Sequence, residues 1–276
     1  MRVAALLAAL MIQAAAGKTA QAAMPAVAGK DERVLTVCAD PNNLPFSNHA
    51  EEGFENKVAQ LIAKDLQARL EYVWWAQRRG FARNTLNESR CDLWPGVATG
   101  VDRILTTRPY YRSTYVFLTR KDRRIQGLSL DDSRLKSLAI GVQMVGNDAT
   151  NTPPAHALAR RGITDNVQGY MLYGNYESPN PPSKIIDAVA RGDIDVALVW
   201  GPLAGYFSKH SAVPLALEPV TPQIDAGVWR MTYGISVGVR AGNLTMRDQI
   251  QSILDQEHPA ITALLGDFGI PRAAAD

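Results

Sequence analysis

Two runs carry residue types at spacings that could do chemistry. Gly234-Ile235-Ser236-Val237-Gly238 has the G-x-S-x-G pattern of a hydrolase nucleophile elbow, and Asp255 and His258 follow in the chain order an acyl-transfer triad needs. An elbow requires a strand, a sharp turn and then a helix, so that the serine hydroxyl stands clear of the sheet. Here the pentapeptide lies inside one alternating run that Val239 continues, and it reads as strand. Gly266-Asp267-Phe268-Gly269 imitates a kinase fragment, but neither a phosphate loop nor a catalytic-loop sequence accompanies it, so it reads as a helix end. His49, His156 and His210 are isolated. The chain has no H-E-x-x-H, no Cys/His pair at metal spacing, no G-x-G-x-x-G and no Walker sequence. It therefore offers no catalytic residue, metal site or cofactor site, and is expected not to be an enzyme.

The segments with binding chemistry are polar and aromatic ones placed where strands end. Val34 to Ala39 is an apolar run stopped by Asp40-Pro41-Asn42-Asn43-Leu44-Pro45-Phe46. Glu55 to Leu66 repeats apolar residues at Val58, Leu61, Ile62 and Leu66, which predicts a helix with one buried stripe. Leu70 to Trp75 predicts a second strand, leaving through Trp75-Ala76-Gln77-Arg78-Arg79, with helix near Arg83 to Asn87. Asp92 to Val97 predicts a third, made irregular by Pro95, followed by Gly96 to Asp102. Ser113 to Thr119 is extended.

A second strand-helix series then begins. It has strands at Leu138 to Gln143, Gln168 to Leu172 and Asp195 to Trp200, and helices at Pro154 to Arg161 and Ser183 to Arg191. Thr152 is placed as the hydroxyl cap of the first of these helices. Arg230 to Val239 is extended again, and Thr245 to Gly266 is helical with a kink or restart at Pro259. Strands alternating with helices predict an α/β fold with parallel strands, here in two lobes. In such sheets ligands sit outside the carboxyl ends of the strands. The strand ends thus nominate a cleft lined by Asp40, Asn43, Phe46, Trp75, Arg78, Arg79, Gly96, Arg103, Gln143 and Trp200.

The N-terminus places Arg2 before an apolar run from Val3 to Ile12 and ends in Ala20-Gln21-Ala22, the order of a secretory signal peptide over residues 1–22. The run is too short to span a membrane stably. The 29 basic residues include Arg2 and Lys18, so removing that acid-free segment brings them level with the 27 acidic ones. A balanced chain gives no support to a nucleic-acid partner. The one dense basic run, Arg120 to Arg124, is either a solvated connection or a docking patch for an acidic partner. Export would permit a disulfide between Cys38 and Cys91. With both in neighbouring parallel strands, however, they would lie about three residues, on the order of 10 Å, out of register, which argues against one.

The order Asp-Pro with Pro-Phe soon after, Gly53-Phe54-Glu55, Pro109-Tyr110-Tyr111, Gly192 to Ala197 and Tyr233-Gly234-Ile235-Ser236 resembles the extracellular solute-binding proteins of the amino-acid-binding type. The resemblance implies a two-lobed periplasmic binding fold with two hinge strands. Lobe 1 would be residues 31–116 and 235–272, lobe 2 residues 121–229, and the hinges would lie near 117–120 and 230–234. It also marks two departures: the arginine that grips an amino acid's carboxylate is displaced, Gly100 standing at its position, and the carboxylate that pairs with the amino group is replaced by Trp200. The longer runs VCADPNNLPFSN, GFENKVAQLIAKDL, WWAQRRGFARNTL and TTRPYYRSTYVF are similar to the quinoprotein dehydrogenase-associated, MoxJ/XoxJ-like branch of that family. That likeness implies a periplasmic accessory protein for a PQQ-dependent methanol dehydrogenase, without a cofactor of its own. The fold alone would equally suit a receptor delivering some other small solute to an ABC importer.

Overall fold

The computed structural model describes residues 33–145, 151–172 and 176–274; the expected leader, 1–22, lies outside them. Strand β1 (Val34–Ala39) is followed by the two-residue pieces β2 (Asn42–Asn43) and β3 (Ser47–Asn48), helix α1 (Phe54–Asp65), β4 (Arg69–Trp74) and the single-turn α2 (Phe81–Asn84). Then come β5 (Leu93–Ala98), β6 (Ile104–Thr106) and the long β7 (Tyr111–Arg120). The second series is β8 (Ile140–Met144), α3 (Pro153–Arg160), β9 (Val167–Met171), α4 (Lys184–Arg191), β10 (Val196–Trp200), α5 (Gly201–Lys209) and β11 (Leu215–Pro219). Hairpin β12 (Ile224–Asp225) and β13 (Trp229–Arg230) leads to β14 (Thr232–Arg240), and α6 (Leu244–Gln256) and α7 (His258–Asp267) follow. Pro259 falls in the first turn of α7, where a missing N–H is harmless, so it restarts the helix.

The strands run in the order β4-β1-β5-β14-β7-β10-β8-β9, with β6 beside β14 and β11 beside β7. The β1–β4, β1–β5, β8–β9 and β8–β10 pairs are parallel, as strand-helix alternation requires. Strand β7 belongs to both halves. Its residues 111–114 pair with β14 and its residues 115–120 pair with β10 and β11, so its partner changes between Thr114 and Tyr115. Two α/β lobes thus share a crossing strand. Helix α1 shows how each lobe closes: Val58, Ala59, Ile62 and Ala63 are buried in one core with Leu35 and Val37 of β1. Covering a side chain the size of Val58 or Ile62 contributes about 1.5–3 kcal/mol.

Three local features differ from the sequence expectation. Pro95 makes β5 irregular, as expected, but inside the sheet, because β5 lies between β1 and β14. The β5–β14 register shifts between Ser236 and Gly238, so that Pro95 and Gly96 together face Val237 in a β-bulge. A bulge tolerates a residue without an N–H inside a sheet. The Pro95 carbonyl accepts the Tyr110 hydroxyl at 3.0 Å, and the Val237 N–H donates to Thr107 Oγ1 at 3.1 Å.

Cys38 and Cys91 are joined in a disulfide, with Cα atoms 5.6 Å apart. The register argument failed because Cys91 precedes the strand. Val37 pairs with Leu93, and the chain enters β5 from a turn with Ser89 at φ 58°, pinned where the Asp92 N–H donates to the Thr36 carbonyl at 2.7 Å. That path brings Cys91 over β1. Finally, Thr152 stands at the cap of α3, but its hydroxyl donates to the Gln143 carbonyl at 2.7 Å and does not cap the helix.

Candidate functional site

Between the two half-sheets lies a cavity of about 260 Å³. Its walls come from strand ends and from the crossing strands. Asn43 and Phe46 arrive from the loop after β1, Gln77 from that after β4, Gly96 and Ala98 from β5, Gln143 and Val145 from the end of β8, and Trp200 from the end of β10. Tyr111 and Tyr115 of β7 and Tyr233 and Ile235 of β14 supply the remaining side. Trp200 packs edge-on to Tyr115 and Tyr233, with ring centroids 5.2 and 6.1 Å away, and its backbone N–H donates to Gln143 Oε1 at 3.0 Å.

Asp40 organises this wall from behind. It is 1% exposed; Oδ1 accepts the Asn42 N–H at 2.8 Å and Oδ2 the Gln77 N–H at 2.6 Å. Burial pushes its carboxyl up from the ordinary value, and the two backbone donors work the other way. The result ties the loops after β1 and β4 together, and Asn43 Nδ2 then donates to Gln77 Oε1 at 3.0 Å. Asn43 Oδ1, buried beside it, has no partner.

Glu55 is the unexpected member. It lies in the first turn of α1, is 5% exposed, and faces the cavity beneath Gly96. A Cβ on Gly96 would come within 2.2 Å of Glu55 Oε1, so only glycine leaves the carboxyl its place. Burial raises its pKa to about 8. Glu55 is therefore mostly neutral at pH 7. An unfolded chain ionises it above about pH 4.5, so its burial lowers stability increasingly as pH rises from there towards 8. A group retained at such a cost is a functional candidate.

Of the ten nominated residues, Asn43, Phe46, Gly96, Gln143 and Trp200 line the cavity. Trp75 and Arg78 instead border a shallow groove with Pro41, Trp74, Ala76 and Tyr176, and the guanidinium over the Trp75 ring is that of Arg90, 5.0 Å from its centroid. Arg79 is exposed and lines neither; Arg103 is exposed in the β5–β6 turn at φ 64°. Glu55, Gln77, Tyr111, Tyr115 and Tyr233 were not nominated. A signal for Glu55 was present: it falls on the same stripe as Val58, Ala59 and Ile62, where a solvated acid would be out of place.

The elbow-like serine is inert. Ser236 is fully buried in β14, its hydroxyl 2.7 Å from Thr99 Oγ1, and Asp255 is engaged by Arg108 at 2.6 Å. Among the described residues no cluster of three metal-ligating side chains occurs, and no helix is long and apolar enough to cross a membrane.

A cleft between two α/β lobes joined by crossing strands defines a binding protein, and residues 35–260 match the bacterial extracellular solute-binding proteins, family 3, to which this chain belongs. Within that family it is MoxJ-like. Protein MoxJ of Paracoccus denitrificans is 32% identical over 266 residues, covering 90% of this chain and 92% of that one. The crystal structure of the periplasmic binding protein XoxJ from Methylobacterium extorquens AM1 is 34% identical with a TM-score of 0.71, covering 88% of this chain and all of its own. That of MxaJ from Methlophaga aminisulfidivorans MPT is 26% identical with a TM-score of 0.75, covering 87% of this chain and all of its own.

Proposed function

We propose that this chain is a non-catalytic periplasmic accessory protein that acts in the assembly or activation of a PQQ-dependent methanol dehydrogenase. The observation that carries the reading is the likeness to MoxJ over nine-tenths of both chains. A protein without catalytic groups can act on a partner only through differential affinity, by holding one of its states more tightly than another. It would thus favour an unfinished dehydrogenase over the finished one. Trp75, Arg78 and Arg79, exposed in the loop after β4, are the surface we assign to that partner. Deleting the gene should leave dehydrogenase polypeptide in the periplasm with most of its activity lost; full activity in the deletion strain overturns the proposal.

An importer receptor for free amino acids would behave differently in vitro. No Lys, Arg or His lines the cavity among the described residues, so the carboxylate of a free amino acid would be buried without a cation. The sequence marked both ends of such a ligand, the displaced arginine for its carboxylate and Trp200 in place of the acid for its amino group; Glu55 offers an acid for the second, while no basic side chain on the described wall meets the first. Occupancy at 100 times Kd stabilises a native state by about 2.7 kcal/mol, which a thermal-shift screen resolves easily. None of the standard amino acids should raise the melting temperature. A clear rise with any of them would favour transport.

A further inference from the structure

Among the described residues the cleft wall holds one buried acceptor without a donor and one buried carboxyl. Asn43 Oδ1 is an acceptor without a donor, on a residue 1% exposed. Glu55, 5% exposed, turns its carboxyl to the same cavity, and burial raises its pKa. Buried polar groups are normally hydrogen-bonded, and a native exception calls for an explanation. Around this pair stand the Tyr111, Tyr115, Trp200 and Tyr233 side chains. One orphaned acceptor and one acid among electron-rich rings, with no basic side chain on the described wall, suit a ligand that donates hydrogen bonds and carries positive charge. An anion meets the opposite: an orphaned acceptor, an acid whose ionisation it would oppose, and no counter-charge on the described wall.

We propose that the cleft takes a small organic cation, a substituted ammonium, seated against the aromatic wall and neutralised by Glu55. The inference goes beyond the dehydrogenase reading and does not rest on it, because it follows from the cavity's own chemistry. Binding is coupled to a proton. Glu55 is protonated in the empty cleft, and the incoming charge favours its carboxylate, so the carboxyl proton leaves to the solvent as the ammonium enters. The titratable groups that face Glu55 are Tyr110 and Tyr111 at the start of β7, and burial holds both well above the ordinary tyrosine value. They stay neutral throughout; Asp40, the other buried acid of this wall, is held from behind by the Asn42 and Gln77 N–H groups, and Glu55→Gln separates its titration from that of Glu55.

The test is calorimetry on the mature protein with choline, whose charge does not change with pH, and with its uncharged isostere 3,3-dimethylbutan-1-ol. If only the ionised carboxyl receives the cation, choline should bind up to roughly thirty-fold more tightly at about pH 9 than at about pH 6.5. The isostere should show no such change. At the lower pH, buffers of different ionisation enthalpy should report close to one proton released per choline. Glu55→Gln should abolish the pH dependence for choline while binding the isostere as the wild type does, which also shows that the cavity remains intact. Equal, pH-independent binding of both probes overturns the proposal, as does pH dependence that survives Glu55→Gln or failure of choline to bind at all. None of these readouts involves the dehydrogenase, so failure here leaves the accessory reading untouched, and the converse holds too.

Discussion

Replacing Cys38 and Cys91 together by alanine should lower the free energy of unfolding by about 3–4 kcal/mol without changing the fold. The bridge joins residues 53 apart in sequence, and closing a loop of that size removes much of the conformational freedom of the unfolded chain. Both sulfurs sit in a small dry cluster with Phe81 and Leu86. Alanine is the proper test there, because serine would bury a hydroxyl without a partner. Since the effect acts through the unfolded state, urea titration should show a lower midpoint and also a steeper slope, the freed chain exposing more surface. A loss below about 1 kcal/mol with an unchanged slope would mean that the crosslink adds little beyond the contacts around it. The bridge also ties β1 to the turn that enters β5, so reduction should loosen the strands that carry Asn43 and Gly96.

The cysteine pair marks where the sequence stops being legible. Periodicity located α1, β4, β8, α4 and β10 to within a residue or two, because each is a local pattern read against one buried face. The alternation of those elements was enough for two α/β lobes. What it could not supply depended on two distant segments meeting. Cys91 was placed in a strand since nothing local marks the turn before Leu93. Pro95 announced an irregular strand, and only its opposite number Val237 reveals the irregularity as a bulge inside the sheet. The same limit applied to the cleft. Residues that leave strand ends, such as Asn43 and Trp200, could be nominated from topology alone. Tyr115 sits in the middle of β7 and Tyr233 near the start of β14, and their place on a cavity wall follows from how the two halves pack. Arg103 failed for a local reason: at φ 64° it occupies a tight turn whose geometry no spacing argument conveyed.

Gly53 and Gly96 separate two kinds of close approach, and alanine at each should fail differently. At Gly53 an added Cβ would lie 2.1 Å from the Phe46 carbonyl oxygen and 2.6 Å from the Ser47 nitrogen, both backbone atoms. Those atoms cannot step aside, because the Phe54 N–H donates to the Pro45 carbonyl at 2.8 Å and the Glu55 N–H to the Phe46 carbonyl at 2.9 Å. These two bonds lock the loop after β1 onto the start of α1, and with it Phe46 and Glu55 in the cavity wall. Gly53→Ala should therefore cost about 3 kcal/mol, at the upper end of overpacking losses, and disturb the cleft as well. At Gly96 the obstacle is the Glu55 carboxyl, the far end of a side chain that can swing into the cavity. Gly96→Ala should cost about 1 kcal/mol or less while displacing the acid, so that the protein stays folded but the titration of Glu55 moves back towards the ordinary carboxylate range. Chemical denaturation of the two variants, with the pH dependence of stability followed between about pH 4 and pH 9, distinguishes the cases. Equal losses at both positions, or an unchanged pH dependence in Gly96→Ala, would mean that Glu55 is held where it is by something other than the space glycine leaves.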